Sequence, residues 1–187
     1  MINFIQKVKM QIKQIKVGHL ETNCYLLTTP KEILIIDPGD EHDKILQNID
    51  DKGKKCTIVN THYHFDHTLA NNKLREILNA EILIHEDEKD FVDFKVDKFL
   101  KEGDILKIDE TELKIIHTPG HTQGSICLLG DSFIFTGDTL FENGYGRTDL
   151  PGGNSQMMSE SLKKLSKLIK KNTTIYPGHG EIFNWSN

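Results

Sequence analysis

The chain has 187 residues, 37% apolar and 27% charged, with a formal net charge of -5. That leaves room for one ordinary domain with its own core, expected over 1–187. The acidic balance argues against a nucleic-acid partner, and no stretch is long and apolar enough to suggest a membrane span.

The N-terminal run MINFIQKVKMQIKQIKVG mixes lysine through its apolar residues and has no small-residue cleavage site, so it does not read as a signal peptide. Within it MQIKQIKV (10–17) alternates with period two, as a half-exposed strand does. NCYLLTT (23–29) and EILIID (32–37) follow across a turn with Pro30 and Lys31 and suggest an antiparallel opening. A helix is expected over 41–51, where Ile45, Leu46 and Ile49 share one face. TIVNT (57–61) and EILIH (81–85) are β-branched and apolar, as in inner strands. Between them a helix is expected over 66–79, and a short one over 87–94.

The second half returns to strands at 104–108, 112–118, 125–130 and 132–137, the last two joined by a tight turn at Gly130-Asp131. A glycine-rich loop covers 142–154. The strongest helical pattern spans 155–171, with Met158, Leu162, Leu165 and Ile169 in one stripe. A last strand, TTIYP (173–177), ends at Pro177. Strands and helices interleave in both halves without a composition break, so a layered α/β build is expected.

The cysteines, Cys24, Cys56 and Cys127, are three in number, far apart and without a CxxC pair. Each lies in an apolar run, which points to reduced, buried thiols and to the cytoplasm.

Residues 61–68 read THYHFDHT, so His62, His64, Asp66 and His67 fall within six positions where a buried-type strand ends. Ligand-bearing groups of α/β sheets often sit beyond strand C-termini. His62 and His64, two apart in extended chain, point the same way. Imidazole and carboxylate are ligands of zinc, iron and manganese. The competing reading is a solvent-facing histidine loop, with Asp66 as a plain helix cap. Three further residues weigh against that reading: His121 in HTPGHT, Asp138 in FTGDTLF and His179 in YPGHG, each on a glycine-flanked loop near a strand end. His19, His42 and His85 lack this context, and His117 lies inside an apolar strand, where a structural role is expected.

This ordered set resembles the metallo-β-lactamase superfamily over roughly residues 17–180, with TNCYLL (22–27) and IIDPG (35–39) as further matching stretches. The resemblance implies a four-layer αββα sandwich with metals at one edge. It implies one metal on His62, His64 and His121, a second on Asp66, His67 and His179, and Asp138 bridging. Two divalent ions, zinc foremost, iron or manganese otherwise, would share a hydroxide that attacks a carbonyl, with Asp66 and Asp138 as catalytic groups.

The segment FENGYGRTDLPGG (141–153) is similar to that of small single-domain relatives of glyoxalase II, the hydroxyacylglutathione hydrolases. A thioester such as S-lactoylglutathione is then the expected small-molecule substrate, and the chain a monomer or homodimer. The chain stops eight residues after His179, so it is expected to lack the C-terminal domain that helps full glyoxalase II hold glutathione. By the same resemblance Arg147 is a candidate substrate contact; Tyr145, with Leu20 and Phe141, is expected to line the pocket mouth as a further one. Arg147 is read equally well as an ion pair with Asp149. Tyr63, between two of the histidines, is expected to point away and pack. The main rival is a mononuclear-iron persulfide dioxygenase of the same superfamily, whose iron would use His62, His121 and Asp138. The proline and glycines at 151–153 favour the hydrolase.

Overall fold

The structure is a computed structural model and describes residues 10–50 and 53–186. The signal-peptide expectation rests largely on residues 1–9, which lie outside the described residues. Two six-stranded sheets face each other. The first runs in the order β1 (Gln11–Val17), β2 (Thr22–Thr28), β3 (Glu32–Ile36), β4 (Lys55–Val59), β5 (Glu81–His85), β6 (Lys98–Leu100). The second contains β7 (Ile105–Ile108), β8 (Thr111–His117), β9 (Ile126–Leu129), β10 (Phe133–Gly137), β11 (Thr174–Pro177) and β12 (Phe183–Asn184), again in chain order across the sheet.

Strands that alternate two apolar faces must bury both. On sheet one, Tyr25, Leu27, Leu34 and Ile36 face sheet two, where Leu113, Ile115, Leu128 and Phe135 meet them. The opposite face, with Leu26, Ile33, Ile35 and Ile58, is covered by Ile45 of α1 (His42–Leu46) and Leu74 of α3 (Asn71–Leu78). Behind sheet two, Ile116, Cys127, Ile134 and Ile175 pack on Leu165 of α4 (Ser155–Leu168). Each of these fully buried aliphatic side chains contributes about 2 kcal/mol. The result is the expected αββα order of layers.

Strand pairing changes from antiparallel (β1–β2–β3) to parallel (β3–β4–β5–β6), with α1 in the β3–β4 crossover and α3 in the β4–β5 crossover. In sheet two only β10 and β11 pair in parallel, and α4 makes that crossover. The turn at Gly130-Asp131 forms as expected, with Gly130 N–H donating to Phe133 O at 2.9 Å.

Several expectations about helices need correction. The helix expected over 66–79 breaks into α2 (Phe65–Thr68) and α3. Its ladder is interrupted because Ala70 N–H donates to Pro38 O at 3.0 Å, and Asn60 Nδ2 takes the carbonyl of His67 at 2.9 Å. The segment 87–94 is not a helix; only a 3-10 turn forms, at Glu86–Glu88. Helix α1 stops at Leu46, within the expected 41–51, and α4 stops at Leu168 rather than 171. Strands β6 and β12, three and two residues long, carry too little pattern to be read beforehand.

The cysteines are buried thiols, as expected, and none of them forms a disulfide. Burial pushes the Cys127 thiol up to about 11 and raises Cys24 as well, so neither offers a reactive thiolate. Among the described residues no helix is long and apolar enough to cross a membrane.

Candidate metal centre

Four loops converge at one edge of the two sheets. They leave the C-terminal ends of β4, β8, β10 and β11, and carry His62 to His67, His121, Asp138 and His179 respectively. Cross-links between the layers hold them there. Ile126 N–H donates to Thr61 O at 2.9 Å, and Asn23 N–H to Gly178 O at 2.7 Å. Tyr25 Oη donates to Pro177 O at 2.7 Å, and Asn23 Nδ2 to the same carbonyl at 2.9 Å. Gly178 has to be bare, because a Cβ there would run into Asp138 Oδ1 and the His67 ring.

All seven donors expected from the sequence come together. The ligand atoms of His62, His64 and His121 lie within 4.8 Å of one another, as do those of Asp66, His67 and His179. Asp138 stands between the two sets: Oδ1 is 3.5 Å from His67 Nε2, and Oδ2 is 3.5 Å from His121 Nε2 and 3.6 Å from His179 Nε2. Asp66 is no helix cap. His64 holds that position, and Asp66 Oδ2 instead accepts from Thr22 Oγ1 at 3.0 Å and lies 3.2 Å from His179 Nε2.

A second tier of oxygens turns the imidazoles, which is how metal-ligating histidines are usually oriented. His62 Nδ1 lies 3.0 Å from Thr61 Oγ1, whose own proton goes to Asp37 Oδ2 at 2.7 Å. His67 Nδ1 lies 3.0 Å from Asp37 Oδ2. His121 Nδ1 donates to Arg147 O at 2.7 Å, and His179 Nδ1 to Leu20 O at 3.1 Å. Those contacts assign the proton to Nδ1 and turn each Nε2 inward.

The cavity behaves as a cation site before any cation enters. Burial, then the neighbouring imidazoles, hold His62 well below its usual range and bring His64 down to about 4, so both offer neutral lone pairs. Burial disfavours a charged His67, but Asp138, Asp37 and Asp66 outweigh it and raise this group to about 9. Burial alone would raise Asp66; contacts from His179, His67 and Thr22 reverse this and keep it ionised. Buried His62 Nε2, His121 Nε2 and Asp138 Oδ1 have no hydrogen-bond partner. Buried polar atoms seldom stay unpaired, and three of them aimed at one space fit a divalent ion.

The candidate substrate residues divide. Arg147 is held by Asp149 in a two-pronged pair, Nε to Oδ1 at 2.8 Å and Nη2 to Oδ2 at 2.7 Å. Its carbonyl, not its side chain, reaches the centre. Tyr145 is exposed and lines a groove of about 450 Å³ along α4, with Leu140, Met158, Leu162 and Trp185. Tyr63 packs as expected: its ring stacks on Phe91 at 4.8 Å and its hydroxyl donates to Pro151 O at 3.0 Å.

His85, Asp87 and His117 form another close grouping away from the centre. The two rings stack at 4.1 Å and 14°, so their lone pairs lie in nearly parallel planes and do not converge. His85 Nδ1 accepts from Asp87 N–H, and His117 Nε2 faces Gln123 O. This is the structural role expected for His117.

Sequence reasoning missed Asp37 and Thr61 as orienting residues. Asp37 lies in the matching stretch IIDPG, directly after a strand, and that position was the available signal.

Two facing sheets between helical layers, with a dense histidine and aspartate cluster at one edge, define a metal-binding αββα sandwich. The chain belongs to the Metallo-beta-lactamase superfamily, whose sequence profile matches residues 17–179. It is similar to the hydroxyacylglutathione hydrolase GloC of Haemophilus influenzae, 34% identical over 91% of each chain. It is also similar to the probable metallo-hydrolase YqgX of Bacillus subtilis, 34% identical over 91% of this chain and 90% of that one. Among solved structures, TTHA1623 in a di-iron-bound form superposes with a TM-score of 0.82 at 30% identity, covering 92% of this chain and 94% of the other.

Proposed function

We propose that the chain is a metal-dependent hydrolase with a two-cation centre, and that it cleaves an acyl thioester. One observation carries this reading: seven donors in two sets share Asp138, with inward Nε2 atoms and three buried polar atoms left for ions. The likeness to a hydroxyacylglutathione hydrolase and to a di-iron structure supports both halves of it.

His62, His64 and His121 would hold one cation and Asp66, His67 and His179 the other, with Asp138 placed between the two sets. Zinc suits this imidazole-rich set, and iron and manganese suit it too. Such a pair supplies a water of lowered pKa and polarises the carbonyl under attack. The chain's own part is to keep His62 and His64 neutral, to aim the imidazoles, and to hold Asp66 ionised. A thiol leaving group, with a pKa of about 8.5, departs without a protein acid to protonate it. That chemistry favours a thioester over an amide.

The surroundings narrow the substrate. Leu20, Phe65 and Leu69 are exposed and line a small recess beside Asp66. Arg147, the cation expected to meet an acidic thiol moiety, is already neutralised by Asp149. An apolar rim and a spent cation suit a small acyl group on a thiol that is not selected by charge.

The test is metal content per chain by plasma mass spectrometry, followed by hydrolysis of S-lactoylglutathione and of simple acyl thioesters. About two metals per chain and thioester turnover are expected. About one iron per chain, with oxygen uptake on glutathione persulfide and no hydrolysis, would replace this reading with the dioxygenase.

A further inference from the structure

Glu88 is wholly buried. Carboxylates are seldom found there without a partner charge, and among the described residues no basic side chain pairs with this one. Three donors meet it instead. Tyr63 N–H reaches Oε2 at 3.0 Å, while Thr122 Oγ1 and Gly124 N–H reach Oε1 at 2.7 and 2.5 Å. Tyr63 lies between His62 and His64, and Thr122 directly follows His121. The first loop comes from sheet one and the second from sheet two, so one carboxylate ties together the two backbones that carry all three histidines of one set.

The fit is close on both sides. A Cβ on Gly124 would sit 2.6 Å from Glu88 Cγ and 2.7 Å from Oε1, so this loop is bare where the carboxylate lies. Thr122 Oγ1 is also 2.8 Å from Ser125 Oγ, which fixes the hydroxyl that donates to Glu88. The other set is held by Thr22 and Leu20, and by Asp37, which also reaches His62 through Thr61.

We propose that Glu88 is a positioning residue that sets the distance between the His62–His64 loop and the His121 loop, and with it the cation affinity of the three-histidine set. This rests on the metal-site reading above. Metal sites lose affinity when their supporting contacts go, typically 10- to 100-fold, because ligand placement must hold to about 0.5 Å. In Glu88→Gln the amide must turn its NH2 toward Tyr63 N–H or toward the Thr122–Gly124 donors. Donor then faces donor, at unchanged side-chain volume.

The experiment titrates the metal-free full chain with zinc against a competing chromophoric chelator. Wild type, Glu88→Gln, Thr122→Val, His62→Ala and Ile45→Val are compared, the last as a core control remote from the loops. Glu88→Gln is expected to weaken one zinc equivalent by about 10- to 100-fold. That equivalent should be the one His62→Ala abolishes, with the other unchanged. Thr122→Val, which removes a single donor, should weaken the same equivalent by less, and so keeps the test alive if Glu88→Gln does not fold. Ile45→Val should leave both equivalents at wild-type affinity. Wild-type affinities for both equivalents in Glu88→Gln and Thr122→Val would overturn the proposal, and so would an equal weakening of both. A wild-type chain that takes up no metal would instead overturn the metal reading itself, which the wild-type titration alone reveals.

Discussion

Asp37 Oδ2 lies 3.0 Å from Nδ1 of His67, and both side chains are buried. The same carboxylate accepts from Thr61 N–H and Thr61 Oγ1, each at 2.7 Å, and Thr61 Oγ1 in turn meets His62 Nδ1. One residue outside both donor sets therefore orients a histidine in each. Asp37→Asn keeps the shape and removes the charge. It is expected to weaken metal binding by about 10- to 100-fold with the fold retained. Equilibrium dialysis against zinc, with circular dichroism as the fold control, measures this. Unchanged affinity would mean that His67 is held by packing alone.

Removing metal should show how much of the native stability it supplies. Dialysis against a strong chelator is expected to abolish turnover and lower the melting temperature. Readdition should restore both, because an ion bound only by the native state stabilises it by about 4 kcal/mol at a thousand times its dissociation constant. Full activity after exhaustive chelation would exclude a catalytic metal.

Much of this centre is legible before folding is considered. His62, His64, Asp66 and His67 stand together at the end of an apolar run, and His121, Asp138 and His179 repeat the setting on other loops. Glu88 is not legible that way. It sits in the run HEDEKD, where a wholly buried carboxylate looks the same as its solvated neighbours Asp87 and Lys89. Only the tertiary fold, by bringing Tyr63 and Gly124 to it, separates it from them. The break between α2 and α3 is hidden for the same reason. The local pattern of 66–79 is helical, and a distant carbonyl, that of Pro38, takes the amide that would have continued the helix. The layers themselves are readable because strands such as β3, apolar on both faces over 33–36, demand cover on both.

Arg147 tests whether the second reading of that residue, as an ion pair, holds in solution. Its side chain is tied to Asp149, while its carbonyl supports His121. Arg147→Ala keeps the carbonyl, so metal content should not change. KM for S-lactoylglutathione should stay close to the wild-type value, since the side chain that is removed is engaged by Asp149 and not by substrate. Asp149→Ala frees the guanidinium and is expected to lower KM for glutathione thioesters relative to thioesters of a neutral thiol. Steady-state kinetics on both substrate types separates these outcomes. A large KM rise in Arg147→Ala would show that the side chain leaves Asp149 to bind substrate.

Asp97 offers a pH test away from the metal centre. Both its oxygens accept from Arg75 of α3, at 2.6 and 2.8 Å, and Oδ2 also accepts from Ile82 N–H at 3.0 Å. The Arg75 contact holds this carboxyl below its usual range, against a smaller opposing effect of burial. A carboxyl whose folded value is depressed stabilises the native state fully above its unfolded value, about 3.9. That contribution fades as pH falls through the lower folded value. In metal-free protein, Asp97→Asn should therefore unfold at lower urea than wild type at pH 7 and pH 5. The gap should narrow toward pH 3 as the wild-type carboxyl takes up its proton. A gap that stays constant from pH 7 to pH 3 would place the loss in packing or the Ile82 hydrogen bond, and not in the charge that Arg75 meets.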